Sequence, residues 1–269
     1  MSKALVLCAD DYALHEGVTQ GVLTLARQAR LSATSVMTLS PRWAEDAAPL
    51  RELRGQIDVG LHLDWTSEFA RAAGHGDSLG AIMWRALRRG FDARQVREVV
   101  ARQLDAFEAH WQAAPDHVDG HQHIQQFAGL REPLLEVLQA RYGGHARKPW
   151  LRISRVAQPG LKAWVIGAMG APALQAWAQQ AEWPHVSPLL GAYGFDGDGA
   201  GYAQRMAQWL HDMPAQAVLM CHPATEAPND DVIGPARVWE HAYLGAAVFH
   251  NALQTADVRL VRGSTLGHS

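Results

Sequence analysis

Cysteine is scarce in this 269-residue chain, and the two present, Cys8 and Cys221, stand far apart with no CxxC pairing. That excludes a disulfide framework and a cysteine-built zinc site, and it leads to the expectation of a reducing, cytoplasmic setting in which both thiols are small core residues. No apolar run approaches the roughly 18 residues that span a bilayer. The opening Met-Ser-Lys passes into a six-residue apolar run without a small-residue cleavage site, which does not read as a secretory signal. Charge of one sign is also missing: the formal net charge is −3, so no basic field calls for nucleic acid or an anionic membrane. Low-complexity tracts, repeats and linkers are absent, and the chain is read as one domain over residues 1–269. Histidine is what the sequence has in excess, with fourteen residues, several in short clusters. Such clusters mark metal sites and proton transfers.

Ala4–Ala9 is apolar without alternation, the pattern of a strand buried on both faces. Further strand-like runs fall at Ala33–Leu39, Ile57–Leu63, His117–Asp119, Leu151–Ser154, Ala217–Cys221 and Val258–Val261. Between them lie helical patterns at Glu16–Ala29, Arg42–Leu53, Ala93–Trp111, Leu130–Arg141, Leu161–Gln180, Tyr202–Leu210 and Val238–Gln254. Strands alternating with helices imply parallel pairing through right-handed crossovers. About seven such strands suit an α/β fold built as a distorted or incomplete (β/α) barrel; a doubly wound open sheet is the competing architecture. Thr66–Phe91 and the Gly/Pro-rich Trp183–Gly201 read as insertions, the kind of loop that forms lids or substrate walls.

In parallel α/β architectures functional groups collect at the carboxyl ends of strands. Asp10 and Asp11 end the first strand here, and His62 lies near the end of the third. Asp119, His121 and His123 close the fourth, Arg152 sits in the fifth, and His222-Pro223 ends the sixth. Each has an ordinary alternative: paired aspartates start turns or cap helices, and a strand histidine is more often a bonded core residue than a ligand. Their coincidence on one rim points to a shared pocket. His121 and His123, two apart in an extended segment, would share a face. One carboxylate and two imidazoles make a three-ligand site with open positions. A bound metal lowers the pKa of water towards about 7. A second carboxylate then takes the water proton, and a histidine on the opposite wall protonates a leaving amine. Asp10 and Asp11 are expected to divide these tasks.

The ordered set Ala9-Asp10-Asp11-Tyr12, Ser32–Met37, Gly60-Leu61-His62-Leu63, His117–His123, Leu151-Arg152-Ile153 and Met220-Cys221-His222-Pro223 resembles the YdjC-like carbohydrate deacetylases, the group that includes chitooligosaccharide deacetylases. The resemblance implies a barrel related to the polysaccharide-deacetylase fold, one divalent metal (Mg or Zn, with Mn, Co or Ni as further options) and a small carbohydrate substrate. By position it implies Asp11, His62 and His121 as ligands, Asp10 as general base and His222 as the acid. Arg152, His123 and Asp119 then orient the substrate or the reacting groups. The chain departs from the family pattern at Tyr12-Ala13, Gln125 and Ala224, none of them a proposed ligand, base or acid.

The expected activity is removal of an N-acetyl group from an amino sugar or short oligosaccharide. Its rivals are another metal hydrolase, a phosphoesterase or amidohydrolase, and a non-catalytic sugar-binding protein. A phosphoesterase would recruit several basic residues, and Arg152 is the one obvious candidate. Trp65 and Trp84 are the tryptophans nearest the presumed mouth, whereas Trp111, Trp164, Trp177 and Trp209 are expected to pack helices on the sheet. A homodimer is expected on general frequency alone.

Overall fold

The structure is a computed structural model that describes residues 2–157 and 167–266. Nine parallel strands are formed among the described residues: β1 (Lys3–Tyr12), β2 (Ala33–Val36), β3 (Asp58–Leu63), β4 (His117–Gly120), β5 (Trp150–Arg152), β6 (His185–Val186), β7 (Leu189–Leu190), β8 (Gln216–Cys221) and β9 (Val258–Leu260). Their order is β6-β5-β4-β3-β2-β1-β8-β7, with β9 added against the first residues of β1. Segment 185–190 holds both extremes of that order. His185 and Val186 pair with β5 and, after Ser187-Pro188, Leu189 and Leu190 pair with β8. Val156 also bridges to Leu189. The sheet therefore curls until its two edges meet, a distorted barrel rather than the competing open sheet.

Around the strands lie α1 (Glu16–Arg27), α2 (Trp43–Arg51), α3 (Glu68–Ala72), α4 (Leu79–Leu87), α5 (Ala93–Trp111), α6 (Arg131–Tyr142), α7 (Ala171–Gln180), α8 (Gly199–Asp212), α9 (Gly234–Gly245) and α10 (Ala247–Thr255). Helix α5 shows why they form. Asp92 caps it by accepting the Arg94 N–H at 2.9 Å, and Val96, Val99, Val100, Leu104, Phe107 and Trp111 recur at helical spacing as its buried stripe. No described helix is long and apolar enough to cross a membrane.

Strand alternation divides the core in two. Leu5, Leu7 and Ala9 of β1 join the large cluster under the helices, with Leu61, Val118, Leu151 and Leu219 from neighbouring strands. Val6 and Cys8 point the other way, into a small cluster with Ala33, Trp150, Val186, Leu189, Val218 and Met220. This inner cluster fills the barrel towards the amino ends of its strands. The positions that continue the same parity towards the carboxyl ends are polar: Asp10, Ser35, His62, Asp119, Arg152 and, just beyond β8, His222.

Most of the expected elements are present, with three differences. Two-residue strands β6 and β7 lie inside the stretch expected to be a loop at Trp183–Gly201, and Thr66–Phe91 contains α3 and α4. The helix expected over Val238–Gln254 is two helices, because Ala246 takes an extended conformation (φ −80°, ψ 158°) between them. Of the helix expected over Leu161–Gln180, residues 161–166, Trp164 included, lie outside the described residues.

Candidate active site

Adjacent residues on a strand point to opposite faces, so Asp10 and Asp11 could not serve one pocket on a regular β1. Here Asp11 has φ +66°, in the left-handed region, and the β1–β2 register shifts between Ala9 and Tyr12. The kink carries the Asp11 carboxylate to the same rim as that of Asp10, and both residues are buried.

Their partners differ. Arg152 donates from Nη1 to Asp10 Oδ1 (2.6 Å) and from Nη2 to Oδ2 (2.9 Å), a bidentate pair. The His222 Nε2 atom lies 3.9 Å from Asp10 Oδ2. Asp11 receives Arg237 Nη2 on Oδ2 at 2.8 Å. Its Oδ1 faces the two imidazoles, with His121 Nδ1 at 3.1 Å and His62 Nε2 at 3.4 Å. Arg237 reaches back through Nε to Asp231 (2.7 Å), which also lies 3.3 Å from His15 Nε2. Arg237 is thus a second buried guanidinium at the site beside Arg152, the one basic group to which the sequence points. Both guanidiniums are taken up by carboxylates.

Below the rim, Asp119 is fully buried and joins three side chains. It accepts from His62 Nδ1 on Oδ1 (2.6 Å) and from Ser35 Oγ on Oδ2 (2.5 Å), and Arg152 Nη1 lies 3.0 Å from Oδ2. The His62 Nδ1–H is thereby committed, which leaves Nε2 facing Asp11. Close packing under this network explains Gly60: a Cβ there would lie 2.4 Å from ring atoms of His117. His117 in turn stacks on Trp150 at 4.3 Å and lies 3.1 Å from Ser35 Oγ.

His121 and His123 are not on an extended segment. The strand stops at Gly120, and His121–Gln126 forms a 3-10 turn in which Gln122 (φ +54°) and His123 (φ +64°) are left-handed. The expectation of a shared strand face fails for that reason. His121 sits with Asp11 and His62. His123 is buried, and its Nδ1 has no partner among the described residues. Gln125 Nε2 donates to the Arg152 carbonyl and to Ser154 Oγ, both at 3.1 Å, which ties the turn to β5.

Electrostatics follow from this wiring. Burial pushes the Asp11 carboxyl up, but Arg237 and the two imidazoles outweigh it and hold it well below the usual range. Burial likewise opposes ionisation of Asp119, and Arg152 and His62 reverse that. For His62, burial pulls down while Asp119 and Asp10 raise it to about 10. The negative surroundings that favour a proton on His62 favour any cation at its free edge. Burial pushes His222 down to about 4, and burial with the Arg152 charge keeps His123 well below an ordinary histidine.

A divalent ion fits one donor set here better than its neighbours. Ligand atoms of Asp11, His62 and His121 all lie within 4.8 Å of one another, as do those of Asp10, His62 and Asp119 and those of Cys8, His117 and Asp119. In the last two sets both Asp119 oxygens are already engaged, Oδ1 by His62 Nδ1 and Oδ2 by Ser35 and Arg152. Only the first offers a carboxylate oxygen, Asp11 Oδ1, that faces two imidazoles while the other oxygen is held by Arg237.

Residues 4–255 match the family model described as YdjC-like protein. The chain belongs to the YdjC-like protein family. A chitooligosaccharide deacetylase from Serratia marcescens is 28% identical to this YdjC-like chain over 150 residues, which cover 53% of this chain and 58% of that relative. A chitooligosaccharide deacetylase from Yersinia pestis is 25% identical over 232 residues, 83% of each chain. A crystal structure from Enterococcus faecalis, provisionally named a cellobiose-phosphate cleavage protein, shares the fold with a TM-score of 0.73 and 18% identity, covering 99% of this chain and 100% of that one.

The two tryptophans read as nearest the mouth have partners of their own. Trp65 is buried with its ring edge against His75, and it lines a cavity of about 160 Å³ with Arg85, Phe91 and Gln95 that includes no residue of the site. Trp84 is 56% exposed on α4 beneath the Arg88 guanidinium. Trp111 and Trp209 are buried and Trp177 is partly buried, packed as expected.

Proposed function

We propose that this chain is a metal-dependent hydrolase that removes the N-acetyl group from an amino sugar or short oligosaccharide. The observation that carries the reading is the division between two adjacent aspartates: Asp11 Oδ1 faces His62 and His121, while Asp10 is turned onto Arg152 and faces His222. The chitooligosaccharide deacetylases among its relatives supply the reaction class.

Asp11, His62 and His121 would hold one divalent ion. When bound, that ion lowers the pKa of a water and stabilises negative charge on the acetyl oxygen. Asp119 fixes the His62 tautomer through Nδ1, and Arg237 holds Asp11 by Oδ2 so that Oδ1 stays turned to the imidazoles. Asp10 takes the proton of the attacking water, its orientation locked by the Nη1 and Nη2 atoms of Arg152. The 3.9 Å gap between Asp10 Oδ2 and His222 Nε2 is too long for a direct hydrogen bond and suits one atom bonded to both.

At neutral pH His222 starts uncharged, since burial holds it near 4. It takes up the proton that Asp10 removed from the water and passes it to the departing amine, which returns Asp10 to its ionised form. Acetate and a free amino sugar result. His123, buried near Arg152 and His222 with Nδ1 unpartnered, is assigned to the substrate. The phosphoesterase reading is disfavoured because both site guanidiniums already neutralise carboxylates.

Acetate release from N-acetylated mono- and disaccharides, with metal-stripped protein reloaded with Zn, Mn, Co, Ni or Mg, tests the reading. Asp10→Asn is expected to retain stoichiometric metal and to lose turnover by about 10²-fold or more. Loss of the metal instead would exchange the roles of Asp10 and Asp11. Binding without any release would return the chain to the sugar-binding alternative.

A further inference from the structure

His222 leaves β8 as His222-Pro223-Ala224, a segment with only two backbone donors because proline has none. Helix α9 takes both. The His222 N–H donates to Glu240 Oε2, and the Ala224 N–H donates to the Arg237 carbonyl at 3.1 Å. The other Glu240 oxygen, Oε1, accepts the Tyr193 hydroxyl at 2.7 Å. Tyr193 belongs to the Trp183–Gly201 stretch, and two residues later Phe195 sets its ring edge-on to the His222 imidazole at 5.1 Å. Glu240 is 1% exposed. No cationic side chain pairs with it within salt-bridge distance among the described residues. A lone buried carboxylate without a cation is costly, and its cost here goes into holding two hydrogen-bond donors.

Arg237 and Glu240 stand three residues apart on α9 and so share a face. One turn of helix therefore supports both sides of the site, with Arg237 on the Asp11 carboxylate and Glu240 on the His222 backbone.

We infer that Glu240 and Tyr193 are positioning residues that clamp His222 in the reaction centre, and that the 183–201 stretch serves as the far jaw of this clamp. The inference rests on the deacetylation reading for its meaning but not for its test. Neither residue touches the reacting atoms; each acts through the exit of β8. Glutamine can stand in for Glu240 chemically. Its carbonyl accepts the His222 N–H, and its amide donates to the Tyr193 oxygen once that hydroxyl turns. Alanine leaves both donors unmet, and Tyr193→Phe removes one arm while keeping the ring.

The test uses the full-length chain with labelled histidine, with and without added zinc, and reads the His222 ring by NMR (assigned with His222→Gln). The ring is surrounded by Asp10 and Asp11, which favour its charged form, and by Arg237 and His62, which oppose it. A clamped ring stays buried and titrates low. Glu240→Ala is expected to release it, moving its titration up by about two units towards the free-histidine value of about 6.5. Tyr193→Phe is expected to shift it part of the way, and Glu240→Gln to keep it near wild type. Acetate release gives the second readout: kcat falls by about 10²-fold in Glu240→Ala with KM little changed, and Glu240→Gln recovers most of it. An unmoved His222 titration in folded Glu240→Ala and Tyr193→Phe proteins overturns the clamp. A shifted titration in a chain that cleaves no acetylated sugar keeps the clamp and removes the deacetylase.

Discussion

Replacing Arg152 by methionine keeps an unbranched side chain of similar reach but removes the charge that two buried carboxylates share. Asp10 loses both guanidinium bonds, and Asp119 loses a contact of 3.0 Å. Arg152 has no exposed surface, and Asp119 none. Breaking a buried pair from one side costs about 3–5 kcal/mol, most of it the uncompensated charge left behind. That range applies at about pH 8, where the carboxylates are ionised. In wild type the Asp119 carboxyl is held well below the ordinary range, so its contribution is present above the unfolded value and is lost as pH falls. In Arg152→Met burial dominates instead, and protonation relieves the cost. The stability gap should therefore narrow as pH falls from about 8 to about 5. Urea unfolding of both proteins at the two pH values measures it. A gap below about 1 kcal/mol at the higher pH, or one indifferent to pH, would refute the view that Arg152 neutralises this pocket.

Glu240 carries the opposite sign. Burial lifts it from 4.5 to about 7, so it stabilises the fold below the unfolded value and loses that contribution as pH rises through about 7. Across that window wild type should gain about 3 kcal/mol relative to Glu240→Gln on acidification, and parallel unfolding profiles would contradict it. Cys8 and Cys221 are fully buried with thiols raised well above the usual range by burial. Neither should react with a thiol reagent until denaturant is added, and one fast equivalent in the native protein would contradict their placement.

The sequence shows the barrel most clearly where strands are long and apolar. The inner face of β1, with Val6, Cys8 and Asp10 in one parity, follows from alternation alone, and the same parity predicts Asp119 and Arg152 as neighbours. What alternation hides is Asp11, which reaches the pocket only by a left-handed backbone that no residue pattern announces. His121 and His123 mislead for the same reason, because two left-handed residues replace the expected strand. Strands β6 and β7 are two residues each, too short for any periodicity to register. Arg237 and Glu240 are the costliest omission. Opposite charges three apart on a helix look like a solvated surface pair, and only the docking of α9 against the strand ends buries them. The signal available was the Gly234-Pro235 helix start, which placed them one turn inside.

The closure at 185–190 makes the strand pairing around the barrel uneven. Asp11, His62 and Asp119 stand on β1, β3 and β4, within the continuous run β4-β3-β2-β1 of the sheet. Arg152 ends β5 and His222 follows β8, the strands that pair with β6 and β7 of the closing segment. The seam is stitched by pairings two residues long, against six between β1 and β8. Asp10 and Asp11 on β1 thus lie in the long-paired part of the sheet, while Arg152 lies beside the short pairings of the closure.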